Sequence, residues 1–535
     1  MNFGNIAQAD GLTDAERADI RRLAQVHEST ISKNKLRMEY YLGHQDLKNI
    51  GIAVPKKYEQ LDVACSWASK AVDVLAARSQ LEGFSFDEED FETNLHKIMT
   101  ANSFPLKYEK ALMGELTHCC TFAVLDKHPE LGVRVMFHSA ETAVGIWDCA
   151  KDRIRCGMAL VDTKPLGDEA EDQPYQVNYY NDDYVIEVVR DEHRDHWTAY
   201  RKEHIMGRPL MEPMAYRPSE FRPFGVSRIS RHVRAIVDEY MRIQLRKCVS
   251  SEVSTIVQKY IIGATEDDFD QLSYDAAIGH ILTLGRDEDG NVPSVGQFAA
   301  ASMEPHLAQE RSLAGQFASA TCIPMSALIA DYANPMSRDG VYAANEQLVI
   351  EAEALNRGNR RALNNIAMMV MAMDQDKPLS ELTDMERSVH ADFANPAAPS
   401  IASMADAAVK INSAAPWYSE TPDFWDDLGK SRHERDHIMS QKRQLEARNM
   451  VMQQRQEAME RVNEGGLDDD KNFYRIMSIV KDYNRGAINQ QVALRMLQSL
   501  GVDGEDALRI LSVQDGNPED IEIPEDVAGT AEVAQ

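Results

Sequence analysis

The period of apolar positions along the chain changes twice, from helical spacing to alternation and back. Residues 12–41 repeat at helical spacing behind Thr13. Glu16 follows three residues later, the pattern of a capping box. Residues 58–81 carry small apolar side chains at helical steps and read as a second helix. Residues 86–118 are polar and helical in character. From 119 the chain breaks into short runs rich in Val, Ile, Tyr and Phe, at 119–126, 132–138, 143–149, 153–162, 175–180, 183–190 and 195–201. Turn clusters such as Asn181-Asp182-Asp183 separate several of them, which predicts hairpin-connected strands. Pro209, Pro213, Pro218 and Pro223 then predict extended chain over 207–225.

Helical spacing returns at Val226. Ile229, Val233, Ile236, Val237, Tyr240 and Ile243 lie on one face, and the pattern continues to Tyr260 with no Gly or Pro before Gly263. Residues 264–300 form a short mixed insert, and 303–321 a further helix. A loop at 323–340 turns at Asn334-Pro335. The longest helical signal follows, from Val341 to Met373, with Leu348, Ala352, Leu355, Ala362, Ile366, Met369 and Met373 at near-heptad steps. Such a helix is roughly 50 Å long. Residues 391–423 are rich in loop-forming residues, 431–463 are charged and helical, and 471–512 form a small helical module. The last twenty or so residues are acidic and predict disorder.

Composition narrows the function. The 535 residues exceed one core, so several packing units are expected. A net charge of −29 disfavours a protein that grips nucleic acid over a wide basic surface. It suits a conduit that must not hold its cargo. Seven cysteines with no C-x-x-C pair predict reduced thiols. The N-terminal residues lack the apolar stretch of a secretory signal, and the apolar run Ile366–Met373 is too short to span a bilayer.

Few motifs carry chemistry. His433-Glu434-Arg435-Asp436-His437 matches H-E-x-x-H, in which two His on one helical face hold zinc and the Glu activates water. Its charged flanks read instead as a solvated helix. His193 and His196 sit among carboxylates and read as a polar hairpin loop, and Cys119-Cys120 as buried thiols. No P-loop, G-x-G-x-x-G or G-x-S-x-G occurs, so no enzyme class is indicated and no cofactor is expected. One local basic patch stands out: Arg228, Arg231 and Arg234, predicted on one helical face. They suit salt bridges within or between subunits, or phosphate contact.

The order of these elements resembles the portal proteins of tailed double-stranded DNA bacteriophages, the head-to-tail connectors of siphophages. The segments that carry the resemblance are YYLGHQDL, LAARSQLEGFSF, RPFGVSRIS, QKYIIGA, FASATCIPMSALIADYANPMSRDGVYAANEQL and WDDLGKSRHERDHI. It spans roughly residues 12–460. It implies an α+β, mainly α fold. Residues 1–225 correspond to a wing, 226–260 to a first stem helix, 261–302 to a small mixed clip and 303–322 to a second stem helix. Residues 323–340 correspond to a tunnel loop, 341–430 to the long wing helix and wing return, 431–512 to a helical crown, and 513–535 to a tail. It implies a non-enzymatic ring of twelve copies at the capsid portal vertex of the virion, assembled in the host cytoplasm. DNA would pass through the ring during packaging and ejection. The implied partners are the terminase large subunit, the head-tail adaptor, and the major capsid and scaffolding proteins, with no membrane. Asn334, Met336, Ser337 and Arg338 would line the channel. The alternatives from other classes are a zinc peptidase built on His433, Glu434 and His437, and a helical scaffold with no DNA contact.

Overall fold

The computed structural model describes residues 3–47, 63–165, 172–255, 259–262, 294–297, 302–329, 338–397, 401–421 and 432–511. Within these spans 89, 90, 92, 192–195, 465–469 and 486 are excepted, and 424, 425, 428 and 430 are added. The chain forms two units, Met1–Pro399 and Ser400–Gln535. The fold is α+β and mainly α, as predicted. No helix among the described residues is long and apolar enough to cross a membrane.

Helix α1 (Asp14–Leu42) begins where expected. The Thr13 hydroxyl accepts from the Glu16 amide, and the Glu16 carboxylate accepts the Thr13 N–H at 2.7 Å, so the capping box closes. Helix α2 (Trp67–Ala76) is shorter than the predicted 58–81. Residues 58–62 lie outside the described residues, and the chain leaves the helix to enter strand β1 (Leu81–Ser85). The predicted helix over 86–118 is two helices, α3 (Leu95–Ala101) and α4 (Phe104–His118), broken at Ser103 with φ 50°. The break has a cause. The Asn102 side chain donates to Val133 O at 2.8 Å and accepts from Val135 N at 3.0 Å, so it fastens the α3 end to a strand.

The predicted hairpins are present as β2 (Cys120–His128), β3 (Gly132–Ser139), β4 (Ala143–Asp148), β5 (Arg153–Pro165), β6 (Asp172–Tyr180), β7 (Tyr184–Arg190) and β8 (Trp197–Glu203). Strand β9 (Met211–Ala215) was expected only as extended chain. It pairs on the edge of β2, where Pro213 costs no ladder bond. Two antiparallel sheets result, ordered β3-β2-β9 and β4-β5-β6-β7-β8. One face of the larger sheet supplies Val144, Met158, Val177, Ile186 and Val188 to a core closed by Ile20 and Leu23 of α1. The smaller sheet is covered on both sides, so Cys120–Leu125 of β2 are all buried and read as a continuous apolar run.

Helix α5 (Arg231–Thr255) starts five residues later than the predicted 226 and ends before 260. Lys259–Ile262 is instead strand β10, antiparallel to β11 (Ser294–Gln297). Most of the insert between them lies outside the described residues. Helix α6 (Glu304–Thr321) runs antiparallel to α5. Arg228, just before α5, bonds Thr321 at the end of α6, while Lys247 pairs with Glu310 at 2.9 Å. Trp67 of α2 packs between them, with ring centroids 4.1 Å from Tyr240 and 5.3 Å from Phe317. Helix α7 (Arg338–Asp374) has 37 residues and a C-terminal half buried on nearly every side, including Leu363, Ile366, Ala367, Met369 and Val370. It begins three residues earlier than expected. Strand β12 (His390–Phe393) returns to pair with β1, and helix α8 (Ile401–Ala414) follows, both within the stretch expected to be loop.

The second unit contains α8, α9 (Arg432–Glu464), α10 (Asp470–Asn484), α11 (Gln490–Ser499) and α12 (Gly504–Leu511). Ile476, Val480, Ala493, Leu497, Ala507 and Ile510 give the last three helices a small core of their own. The Asn489 side chain caps α11 by accepting from Val492 N at 2.9 Å.

Candidate functional site: the helix junction around Arg228

The segment 216–230 carries the chain from the sheets into α5, and its backbone is bound at each step. Gly225 adopts φ 72°, and a Cβ there would lie 2.2 Å from Tyr216 O, so only glycine fits. Val226 N–H donates to Tyr216 O at 2.9 Å, the Ser227 hydroxyl to Thr117 O at 2.5 Å, and Arg228 N–H to Leu116 O at 2.9 Å. These bonds to the end of α4 keep 226–230 out of the helix. Ile229 is buried all the same, which is why the apolar spacing looked helical from 226.

The Arg228 side chain is the centre of the junction and only 6% exposed. Its guanidinium donates to Ala71 O on α2, to Thr321 O at the end of α6, and to the Tyr216 hydroxyl at 2.9 Å. The Glu351 carboxylate on α7 lies 3.7 Å away. Thr321 O belongs to the last turn of a helix, where carbonyls lack partners within the helix. Glu351 also accepts from the Tyr216 hydroxyl and from Arg217. Burial pushes the Glu351 carboxyl up, but these two donors outweigh it and leave it below the usual carboxylate range. Burial pushes the Tyr216 phenol up to about 12. One cation thus ties α2, α6, α7 and the entry to α5 together.

Two further polar contacts fasten α7 along its length. Asn359 donates to Glu115 of α4 at 2.8 Å, and burial raises the Glu115 carboxyl to about 8. Asn365 donates to Glu212 of β9 at 2.7 Å, and Arg208 pairs with the same carboxylate. Sequence reasoning missed all three anchors. The only signal was polar residues, Glu351, Asn359 and Asn365, set into an otherwise apolar helical pattern.

The basic patch is corrected accordingly. Arg228 is not on α5 and does not face solvent, so it cannot serve phosphate or another subunit. It is a buried intrachain hub. Arg231 opens α5 and is exposed. Arg234 is half-buried, its guanidinium 5.7 Å from the Tyr40 ring centroid. Arg338 was expected in a loop but is the first residue of α7, while Asn334, Met336 and Ser337 lie outside the described residues. His433 and Glu434 fall in α9, where nothing of their side chains is described, and His437 is exposed. His196 lies 3.2 Å from Asp10, and His193 is outside the described residues. Cys120 is buried and Cys119 half-buried. The Cys119 thiol is held below its usual range by a hydrogen bond from the Cys120 thiol and by the Arg37 cation.

Residues 20–416 match the family of phage portal proteins of the SPP1 Gp6-like type. The portal proteins of Mycobacterium phages L5 and D29 are each 23% identical to this chain over 389 residues, covering 70% of it and 77% of their own length. Similar solved structures include a chain from the neck of an empty GTA particle, with TM-score 0.40 and 10% identity, covering 72% of this chain and 90% of that one. A chain from the virion of a native gene transfer agent has TM-score 0.38 and 11% identity, covering 74% and 93%.

Proposed function

The chain belongs to the SPP1 Gp6-like family of phage portal proteins, and from that premise we propose that its copies close into a ring at the capsid portal vertex of the virion. Double-stranded DNA passes through the ring during packaging and ejection. The family is structural rather than enzymatic, so the work of packaging comes from a partner, the terminase large subunit. Residues 1–225 and 341–430 make the wing, α5 and α6 the stem, 261–302 the clip that receives terminase and later the head-tail adaptor, and 431–512 the crown. Twelve copies are expected. They assemble in the host cytoplasm with the major capsid and scaffolding proteins.

The observation that carries this reading is the antiparallel α5–α6 pair rooted in the Arg228 junction. A stem that bears load must be fixed at its base, and Arg228, in the entry to α5, bonds Leu116 of α4 and Thr321 at the end of α6. We assign the loop leaving α6 as the tunnel loop, with Asn334, Met336, Ser337 and Arg338 as the residues that meet DNA. Arg338 side chains around a ring would touch phosphates transiently. The acidic charge of −29 keeps that hold weak.

Negative-stain imaging with mass measurement tests the ring. Closed particles of twelve copies, or a nearby number such as thirteen, are expected. A stable monomer of 60.1 kDa at high concentration would overturn the reading. In the same preparation Arg338→Glu should form rings normally yet lose DNA packaging or retention. Unchanged packaging would remove the tunnel-loop assignment, and so would failure of that variant to form rings.

A further inference from the structure

The turn that leads into the junction carries a side chain its own fold does not use. Phe221 is 93% exposed. The turn beneath it is fixed. Ser219 and Arg222 exchange backbone hydrogen bonds of 3.0 and 2.9 Å, and Gly225 N–H reaches Arg222 O at 2.9 Å. On one flank Arg217 is tied to Glu351. On the other, Phe224 packs with ring centroids 5.7 Å from Phe122 and 5.9 Å from Trp147. An aromatic held rigidly in water gains nothing within its chain, whereas pre-organised aromatic anchors dominate interfaces. Arg222 beside it is exposed and has no ion pair among the described residues.

The inner side of the same turn walls a cleft of about 610 Å³. Trp147, Pro213, Pro218 and Pro223 give it apolar walls; Asp152 pairs with Arg361 at 2.8 Å and Glu212 with Arg208, which leaves Glu220 as the lining carboxylate with no ion pair among the described residues. Phe221 and Arg222 are not among the residues that line it.

We propose that Phe221 and Arg222 of one copy enter this cleft on the next copy. The apolar walls suit the ring and the Glu220 carboxylate suits the guanidinium. Tip and cleft are different surfaces, so the contact is heterologous and propagates head to tail, the kind that closes rings. This inference rests on the ring reading above.

The test uses the full chain with a photoreactive benzophenone side chain in place of Phe221. Irradiated rings should yield adducts joining position 221 to peptides containing Trp147–Asp152 or Gly358–Ala362 of another copy. Phe221→Glu should raise the concentration needed for half-assembly at least tenfold, with unchanged circular dichroism, and Phe221→Trp should restore it. Adducts at other sites, or Phe221→Glu rings at the unsubstituted concentration, would overturn the contact and leave the ring reading standing. A chain that stays monomeric without any substitution would overturn both. If Phe221→Glu loses its fold, the cross-linked peptides alone decide.

Discussion

Helices α7 and α9 have similar lengths, 37 and 33 residues, and different surroundings, each within its own unit. Helix α7 is buried along its C-terminal half and held by polar contacts at Glu351, Asn359 and Asn365. Helix α9 leaves Leu445, Met450 and Met452 exposed. Length therefore does not tell which helix organises the fold. What distinguishes α7 is that Glu351, Asn359 and Asn365 on its packed face are each met by a polar partner distant in sequence. Buried polar groups cost free energy unless satisfied, so each match also fixes the position of the helix. A substitution at one of these matches should act far more strongly than one on α9.

The largest effect is expected at Arg228. Arg228→Met removes the cation but leaves the Glu351 carboxylate, the Tyr216 hydroxyl and two carbonyls facing one another in a buried site. Breaking such a pair costs about 3–5 kcal/mol. Arg228→Lys should rescue little, because one ammonium cannot reach Ala71 O, Thr321 O and Tyr216 Oη from a single point. Thermal melting and limited proteolysis of the first unit measure this. A loss below about 1 kcal/mol for either variant would break the contrast between the two helices, since the buried match would then count no more than a surface residue.

A smaller effect sharpens the comparison through pH. The Glu115 carboxyl sits near 8 when folded against an ordinary 4.5, so between those values the folded chain binds a proton that the unfolded chain releases. Its contribution is fully present below about 4.5 and is lost as pH rises through about 8. Stability of the first unit should therefore fall over that window. Glu115→Gln keeps an acceptor for Asn359 and should remove this part of the slope. Melting curves at half-unit pH steps check it. A slope unchanged by the substitution would show that Glu115 is not the group responsible.

The legible parts of the fold were those specified locally. Thr13 and Glu16 announce α1 within four residues, and the alternation in 143–190 announces a meander because each strand pairs with its sequence neighbour. Strand β1 pairs with β12 across some three hundred residues, and neither run is long enough to show a period. Arg228 was misread for the same reason. Its partners Ala71 and Thr321 lie 157 and 93 residues away, so a buried hub and a solvent-facing arginine look alike in sequence. The segment Val226–Ser230 continued the helical spacing of α5 because Ile229 is buried, although its backbone is bound to Tyr216 and Leu116 instead. The tunnel-loop residues carried no physical signal beyond the Asn334-Pro335 turn and Gly340, and their assignment came from resemblance.

The smallest effect is expected on α9. Lys442 and Glu446 form an i,i+4 pair at 3.7 Å, with side chains 38% and 60% exposed. Exposed helical pairs contribute about 0.3–0.5 kcal/mol, and this one runs Lys before Glu, the weaker order against the helix dipole. Lys442→Ala should shift melting of the second unit by no more than that amount, and the shift should shrink by about half at 0.5 M salt, where the screening length of about 4 Å is close to the separation of the pair. The same substitution measured in the assembled ring gives the decisive comparison. If α9 is solvated there too, the two shifts agree. A shift several times larger in the ring would mean that another copy covers Lys442. Helix α9 would then be anchored like α7, with further partners supplied by another copy.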